Sequence, residues 1–272
     1  MTESLTQSDV QCFRIAAEDI VREARQTILA ALQGDISSRL KADGSFVTDL
    51  DLAIEQQIRR RLADQFPGHG VIGEEFAQSG DDAEFQWVID PIDGTHSLRN
   101  GIPLFGTLLA LRHAGSSVVG VIDLPILRRT YSAGFDLGAT CNGRKLQLTD
   151  LQSEGDIDNE IIAIGERRQF VNIGKENVFD GLTQAHPSVR TYCDCFGHAL
   201  ACDGSVGAMV DFNLCIWDMA ATEVLIEEAG GELVCVDTRQ APDALTRYDL
   251  IFGKPAVVEW ILEKIAGELE GH

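Results

Sequence analysis

The sequence predicts a mixed α/β fold in which helices flank a largely antiparallel sheet, and three observations carry that reading. Val10, Phe13, Ala17, Val21, Ala24, Ile28 and Leu32 recur at three- and four-residue intervals, so residues 8–32 form one long amphipathic helix ending near Gly34. Trp87, Val88 and Ile89 make a short apolar run of β formers. Residues 104–113 and 117–124 are two further strand-like runs, joined at Ala114-Gly115 by the chemistry of a hairpin turn.

The remaining elements follow in order. Residues 36–48 are polar around Gly44 and read as a loop or short hairpin. Ile54, Ile58, Leu62 and Phe66 then repeat every four residues as a helix, which Pro67-Gly68 ends. Residues 69–73 form a strand delivering Glu74 and Glu75, and residues 79–84 are a solvated acidic loop. The strand at 87–89 is expected to stop at Pro91, which lacks a donor and fixes φ. Residues 129–133 continue the sheet, followed by a tight turn at Asn142-Gly143. The polar stretch 149–160 divides the chain into an N-terminal α+β half, 1–150, bearing the candidate metal loops, and a C-terminal α/β half, 151–272. The second half reads as strands at 161–164 and 188–192, a helix at 176–184, and residues 209–211 ahead of a turn. A helix at 218–229 stopped by Gly230-Gly231, strands at 233–236 and 250–252, and a helix at 256–269 complete it.

Composition narrows the function. Of 272 residues, 22 are Lys or Arg and 43 are Asp or Glu, a formal charge of −21 that disfavours a nucleic-acid partner. No apolar run approaches the roughly 18 residues needed to span a membrane, and no cleavable leader is recognised, which points to the cytoplasm. The seven cysteines are an odd number, scattered as in a reduced compartment. Cys193-Asp194-Cys195 lacks the partners of a zinc site, so these thiols read as small buried hydrophobes.

Chemistry concentrates in the loop after residue 89. Asp90 and Asp93 stand three residues apart near a strand end, where ligands of open α/β sheets collect, and two such close carboxylates call for a cation. Gly94 and Thr95 free the backbone to offer N–H groups to an anion. The plain alternative is an ordinary Asp-Gly turn with Asp90 as its cap. Glu74-Glu75 suits a hard, oxygen-preferring cation. Asp51 and Asp218 each precede an apolar helical repeat, so each also reads as a helix cap.

Gly73-Glu74-Glu75, Asp90-Pro91-Ile92-Asp93-Gly94-Thr95, and Trp217-Asp218 with Glu228-Ala229-Gly230-Gly231 occur in one order along the chain. Together they resemble the signature of the magnesium-dependent phosphatases of the inositol monophosphatase superfamily, over nearly the whole chain. The resemblance implies a layered α-β-α-β-α sandwich of the inositol monophosphatase/fructose-1,6-bisphosphatase type. It implies two or three Mg²⁺ ions, one on Glu74, Asp90 and the Ile92 carbonyl, a second on Asp90, Asp93 and Asp218. Glu74 and Thr95 would position the attacking water. Asp51, in a Val47-Thr48-Asp49-Leu50-Asp51 segment, would orient it from behind, with Lys41 on the rim. The phosphate would meet Asp93, Gly94 and Thr95, and the alcohol half would meet Asp194 and Asp211.

Residues 101–108, 123–127 and 193–196 look most like the histidinol-phosphate branch, and acidic partners suit an alcohol carrying an amine and an imidazole. The expected activity is therefore hydrolysis of histidinol phosphate, a small phosphorylated metabolite, in histidine biosynthesis. Inositol-1-phosphate hydrolysis and a regulatory binding role on the same fold are the alternatives. The resemblance also implies a homodimer.

Overall fold

The computed structural model of the protein describes residues 5–34, 37–40, 46–149, 151 and 154–269. Its first helix, α1 (Gln7–Ala31), begins in a capping box: the Asp9 N–H donates to Thr6 Oγ1, and the Thr6 N–H donates to the Asp9 carboxylate. The inward stripe of α1 packs with Ile54, Ile58 and Leu62 of α2 (Asp49–Gln65). Between the two helices, Ser38–Leu40 (β1) and Phe46–Thr48 (β2) pair antiparallel, which is the short hairpin alternative. Lys41 lies outside the described residues.

Both helices cover one face of a seven-stranded sheet. Its members are β3 (Gly70–Gly73), β4 (Phe85–Asp93), β5 (Gly106–His113), β6 (Ser116–Leu124), β7 (Arg129–Gly134), β8 (Gly138–Cys141) and β9 (Arg144–Lys145), in sequence order across the sheet. All neighbours run antiparallel except β3 and β4. Trp87, Ile89, Leu109, Leu111, Val119 and Val121 supply the sheet's side of this first core.

Pro91 does not end β4, contrary to the sequence expectation. The ladder with β5 jumps from Asp90↔Leu108 to Asp93↔Gly106, a bulge that places Pro91 and Ile92 opposite Thr107 alone. No ladder bond needs the missing N–H there. The Pro91 carbonyl instead accepts from Thr107 Oγ1 at 2.8 Å. The chain then turns at Gly94 into the one-turn helix α3 (Thr95–Arg99).

The second sheet has the order β11-β10-β12-β14-β13, from β10 (Ile162–Ile164), β11 (Val189–Thr191), β12 (Ala208–Leu214), β13 (Glu232–Gln240) and β14 (Thr246–Gly253). On its outer side lie α4 (Arg167–Asn172), α5 (Glu176–Ala185) and α8 (Pro255–Leu269), burying Phe170, Val178, Leu182, Val257 and Ile261 against Ile162, Val210 and Phe212. Between the sheets run α6 (Asp194–Cys202) and α7 (Ile216–Glu228). Helix α7 is apolar around most of its circumference, with Met219, Ala220, Ala221, Val224, Leu225 and Ile226 buried, as a helix covered on two faces must be. The layers are thus α, β, α, β, α. One core joins Leu108, Ile122 and Tyr131 of the first sheet to Met209, Leu250 and Phe252 of the second. No helix among the described residues is long and apolar enough to cross a membrane.

Helix α2 also fixes the turn after β3. Glu55 is fully buried and accepts the N–H groups of Glu75 at 2.7 Å and Phe76 at 3.3 Å, while Arg59 Nε donates to it at 2.7 Å. Gly73 lies against this carboxylate, and a Cβ there would stand 2.1 Å from Glu55 Oε1. Gly73→Ala is expected to destabilise the fold by about 1–3 kcal/mol through overpacking, read as a shifted denaturant midpoint. An unchanged midpoint would show that the Glu55 clamp has slack.

At the far end of the same strands, His69 stacks between Phe66 and Phe85 and accepts the Trp87 indole N–H on Nδ1 at 3.1 Å. Burial lowers its pKa below the usual imidazole value. The unfolded chain therefore takes up this proton first as pH falls, so stability present above the unfolded pKa is lost on acidification. Between about pH 7 and about pH 5 the wild type should lose unfolding free energy more steeply than His69→Gln. Parallel pH profiles of the two proteins would remove His69 from the acid response.

Candidate active site

Four of the carboxylates singled out in the sequence arrive at one place from three elements. Asp90 comes from β4 and is buried, and its Oδ1 has no hydrogen-bond partner. Asp93 follows across the bulge, half-buried, and accepts the Cys195 N–H at the start of α6. Glu74 follows β3, and its own N–H donates to the Ile89 carbonyl at 3.2 Å, which sets it beside the end of β4. Asp218 enters from α7. It is the third residue of that helix rather than its N-cap, and its Oδ2 accepts the Cys215 N–H at 2.6 Å. Its capping role and its place in the cluster coexist, since the other carboxylate oxygen remains free of that bond.

Their mutual charge is legible in the acidities. Burial raises Asp90 well above the usual carboxylate range, and Glu74, Asp93, Asp218 and Asp51 raise it further. Burial does the same to Asp93, with Asp194 and Asp218 adding to it and the Cys195 N–H opposing. Asp218 is pushed up to about 7 by burial against the pull of the Cys215 N–H. Arg247, whose guanidinium reaches Cys215 Sγ at 2.8 Å, is a cation that lowers Asp218. Desolvated like charges of this kind need a cation to coexist as anions.

Among the described residues, no three His, Cys, Asp or Glu side chains already stand as a closed cation cage. The fit to a metal therefore rests on donor type and charge. The donors are all hard oxygens, the Asp90 Oδ1 is an orphaned buried acceptor, and the surrounding carboxylates hold one another's pKa up. Those properties suit Mg²⁺, which keeps waters of its own and takes few protein ligands, better than zinc.

Thr95 opens α3 after Gly94, whose φ of 85° is left-handed and whose missing Cβ would lie 3.0 Å from the Leu104 carbonyl. The Thr95 hydroxyl sits 3.2 Å from Asp51 Oδ1 and 3.1 Å from the Ile92 carbonyl. Asp51 is fully buried. Its Oδ2 accepts the Thr48 N–H at 2.9 Å and the Thr48 hydroxyl, completing the capping box of α2. The two sequence readings of Asp51 therefore describe opposite oxygens of one carboxylate. Burial raises its pKa, and the hydrogen bonds from Thr48 and Thr95 oppose the shift.

On the other side of Asp93, Asp194 sits at the start of α6 with a positive φ of 58°. Burial and Asp211 push it up to about 6, and His198 opposes them. Asp211, on β12, is buried, with Oδ1 unpartnered and Oδ2 3.2 Å from His198 Nε2. Sequence reasoning missed α6, Glu55 and His198. A nine-residue helix containing Gly197 leaves little periodic signal, and a Glu or His on an amphipathic helix reads as solvated or as core.

The inositol monophosphatase family model matches residues 3–270. Over 230 residues the chain is 32% identical to the histidinol-phosphatase of Mycobacterium tuberculosis, covering 84% of this chain and 88% of that protein. It is 29% identical to the Nus factor SuhB of Escherichia coli, over 86% of this chain and 87% of that one. A solved IMPase/NADP phosphatase complexed with Mg²⁺ and phosphate superposes with a TM-score of 0.79 at 23% identity, covering 94% of this chain and 95% of that one, and so shares the fold. With the model spanning nearly every residue, the chain belongs to the inositol monophosphatase family and is a phosphatase.

Proposed function

We propose that the protein hydrolyses histidinol phosphate to histidinol and inorganic phosphate with bound magnesium. The observation that carries this reading is the acidic wall formed by Asp194 and Asp211 next to Asp93. A second pair of carboxylates beside the phosphate site is a poor environment for a neutral polyol and a good one for an ammonium or imidazolium group. Similarity to the Mycobacterium tuberculosis histidinol-phosphatase supports the same substrate.

Two or three Mg²⁺ ions, on Glu74, Asp90, Asp93, Asp218 and the Ile92 carbonyl, would neutralise the phosphate oxygens and acidify a water. The chain's own groups then divide the work. Asp90, whose acidity is raised by Glu74, Asp93, Asp218 and Asp51 together, would be the ligand shared between ions. The amides of Gly94 and Thr95 meet phosphate oxygens at the start of α3. Thr95 Oγ1 accepts a proton from the attacking water as it donates its own to Asp51 Oδ1, with Glu74 orienting that water from the opposite side. Asp51 is held for this by Thr48 on its other oxygen. Water's oxygen bonds to phosphorus as the ester P–O bond breaks, its remaining proton stays on the phosphate, and the alkoxide takes a proton from solvent, which the one released from Asp51 replaces. The reading extends, on the family resemblance, to a cytoplasmic homodimer with no nucleic-acid partner.

Two alternatives have support of their own. Inositol-1-phosphate hydrolysis follows the family model, and a regulatory role follows the similarity to the Nus factor SuhB. A panel of phosphomonoesters with Mg²⁺ separates the three. Histidinol phosphate should be turned over with a higher kcat/KM than myo-inositol 1-phosphate, and Asp194→Asn should cut the first about tenfold or more beyond its effect on the second. A wild-type preference for the inositol ester would replace histidinol phosphate in this reading. A second expectation concerns the shared ligand. Asp90→Asn should fold normally and lose at least about 100-fold in kcat, because one neutralised oxygen weakens two metal positions. Near-wild-type turnover at saturating Mg²⁺ would exclude Asp90 from the site.

A further inference from the structure

Two buried polar side chains behind Asp211, those of His198 and Thr222, have no part in the reading so far. Thr222 lies one helical turn after Asp218 on α7, and its hydroxyl is 2.7 Å from His198 Nδ1 on α6. His198 Nε2 is in turn 3.2 Å from Asp211 Oδ2 on β12. The three residues are 0%, 1% and 2% exposed, and Phe252 closes on the imidazole edge at 4.8 Å between centroids. A carboxylate only accepts, so the ring proton facing Asp211 is on Nε2. Nδ1, on the other side of the ring, faces the Thr222 hydroxyl.

This strut occupies one oxygen of Asp211 and leaves the other, Oδ1, buried without a partner. Oδ1 lies against Gly165, where a Cβ would stand only 2.4 Å away, so the backbone there leaves room for that oxygen. Asp194 and Asp211 are also close enough to sense each other's charge. A buried carboxylate oxygen with no donor is an acceptor waiting for one, and a donor carrying positive charge fills it best.

We infer that His198, braced by Thr222, is a positioning residue that aims Asp211 Oδ1 at a cationic N–H of the substrate's alcohol half and so sets the preference for cationic over neutral phosphate esters. The inference rests on the histidinol phosphate reading. An imidazole held at both ring nitrogens suits the task better than a long, flexible Lys, because it fixes the carboxylate in one orientation. Helix α7 also ties the two ends of the site together: Asp218 in its first turn serves the phosphate end, and Thr222 one turn later serves the alcohol end.

The test compares kcat/KM for histidinol phosphate and for p-nitrophenyl phosphate, with inhibition by free histidinol, in the wild type, His198→Phe and His198→Gln. His198→Phe should lower the ratio of the two kcat/KM values about tenfold, chiefly through KM for histidinol phosphate, and weaken histidinol inhibition in proportion. His198→Gln, whose amide still donates to Asp211, should recover most of the ratio. If His198→Phe does not fold, Thr222→Val serves in its place, with an expected loss of about threefold in the same ratio. Equal losses on both esters, or a Gln variant no better than Phe, would overturn the inference and leave the substrate reading intact. A wild type without preference for histidinol phosphate would overturn both.

Discussion

Like charges that share one buried corner are the constraint to which the rest of the structure answers. Glu74, Asp90, Asp93 and Asp218 converge at the end of β4, and burial with mutual repulsion holds Asp90 and Asp93 well above the ordinary carboxylate range. A chain of this composition would ordinarily spread such groups over its surface, where water screens them at little cost. Holding them together requires rigid delivery from several elements. It also requires N–H donors that offset part of the repulsion until a cation is present.

The donors are backbone groups at element ends. Cys195 at the start of α6 donates to Asp93, and Cys215 ahead of α7 donates to Asp218. Thr48 ahead of α2 donates to Asp51. Each carboxylate thereby completes a terminus that would otherwise leave an orphan N–H, and each keeps its second oxygen for the site. The Glu55–Arg59 pair does the corresponding work for the turn of Glu74, from the interior side of α2. The burial of Glu55 is tolerable because Arg59 and two amides satisfy it together.

This economy explains what the sequence made legible. The long helices α1, α2, α7 and α8 announced themselves by period, and the hairpin of β5 and β6 by its Ala114-Gly115 turn. Glu74, Asp90, Asp93 and Asp218 were found because each sits in a short motif with Gly, Pro or Trp beside it. Pro91 misled because its lack of a donor matters only where a ladder bond is due, and the bulge removes that need through the pairing of Asp90 and Asp93 with β5. Helix α6 was invisible for a local reason. Its first residue, Asp194, has a positive φ, and Gly197 interrupts the apolar repeat. Glu55 and His198 were missed because their partners are far away in sequence: the amides of Glu75 and Phe76, and the side chains of Asp211 and Thr222. Those contacts span 13 to 24 residues, beyond the three- and four-residue spacing that a helical repeat makes visible.

Charge also bears on the choice of substrate from a distance. With 43 acidic against 22 basic residues, the far field opposes the approach of any phosphate dianion. Bound magnesium reverses the field only within the few ångströms where the phosphate lands, and screening limits its reach beyond that. An ester whose alcohol carries an amine arrives with a smaller net charge than a polyol phosphate and meets a smaller barrier. On the proposed reading, its cationic half would face Asp194 and Asp211 while its phosphate met the magnesium site. The same acidic excess that hinders a simple phosphate ester thus matches the two ends of a mixed-charge one. The Asp211 oxygen left open beside Gly165 gives that match a specific place in the proposed pocket.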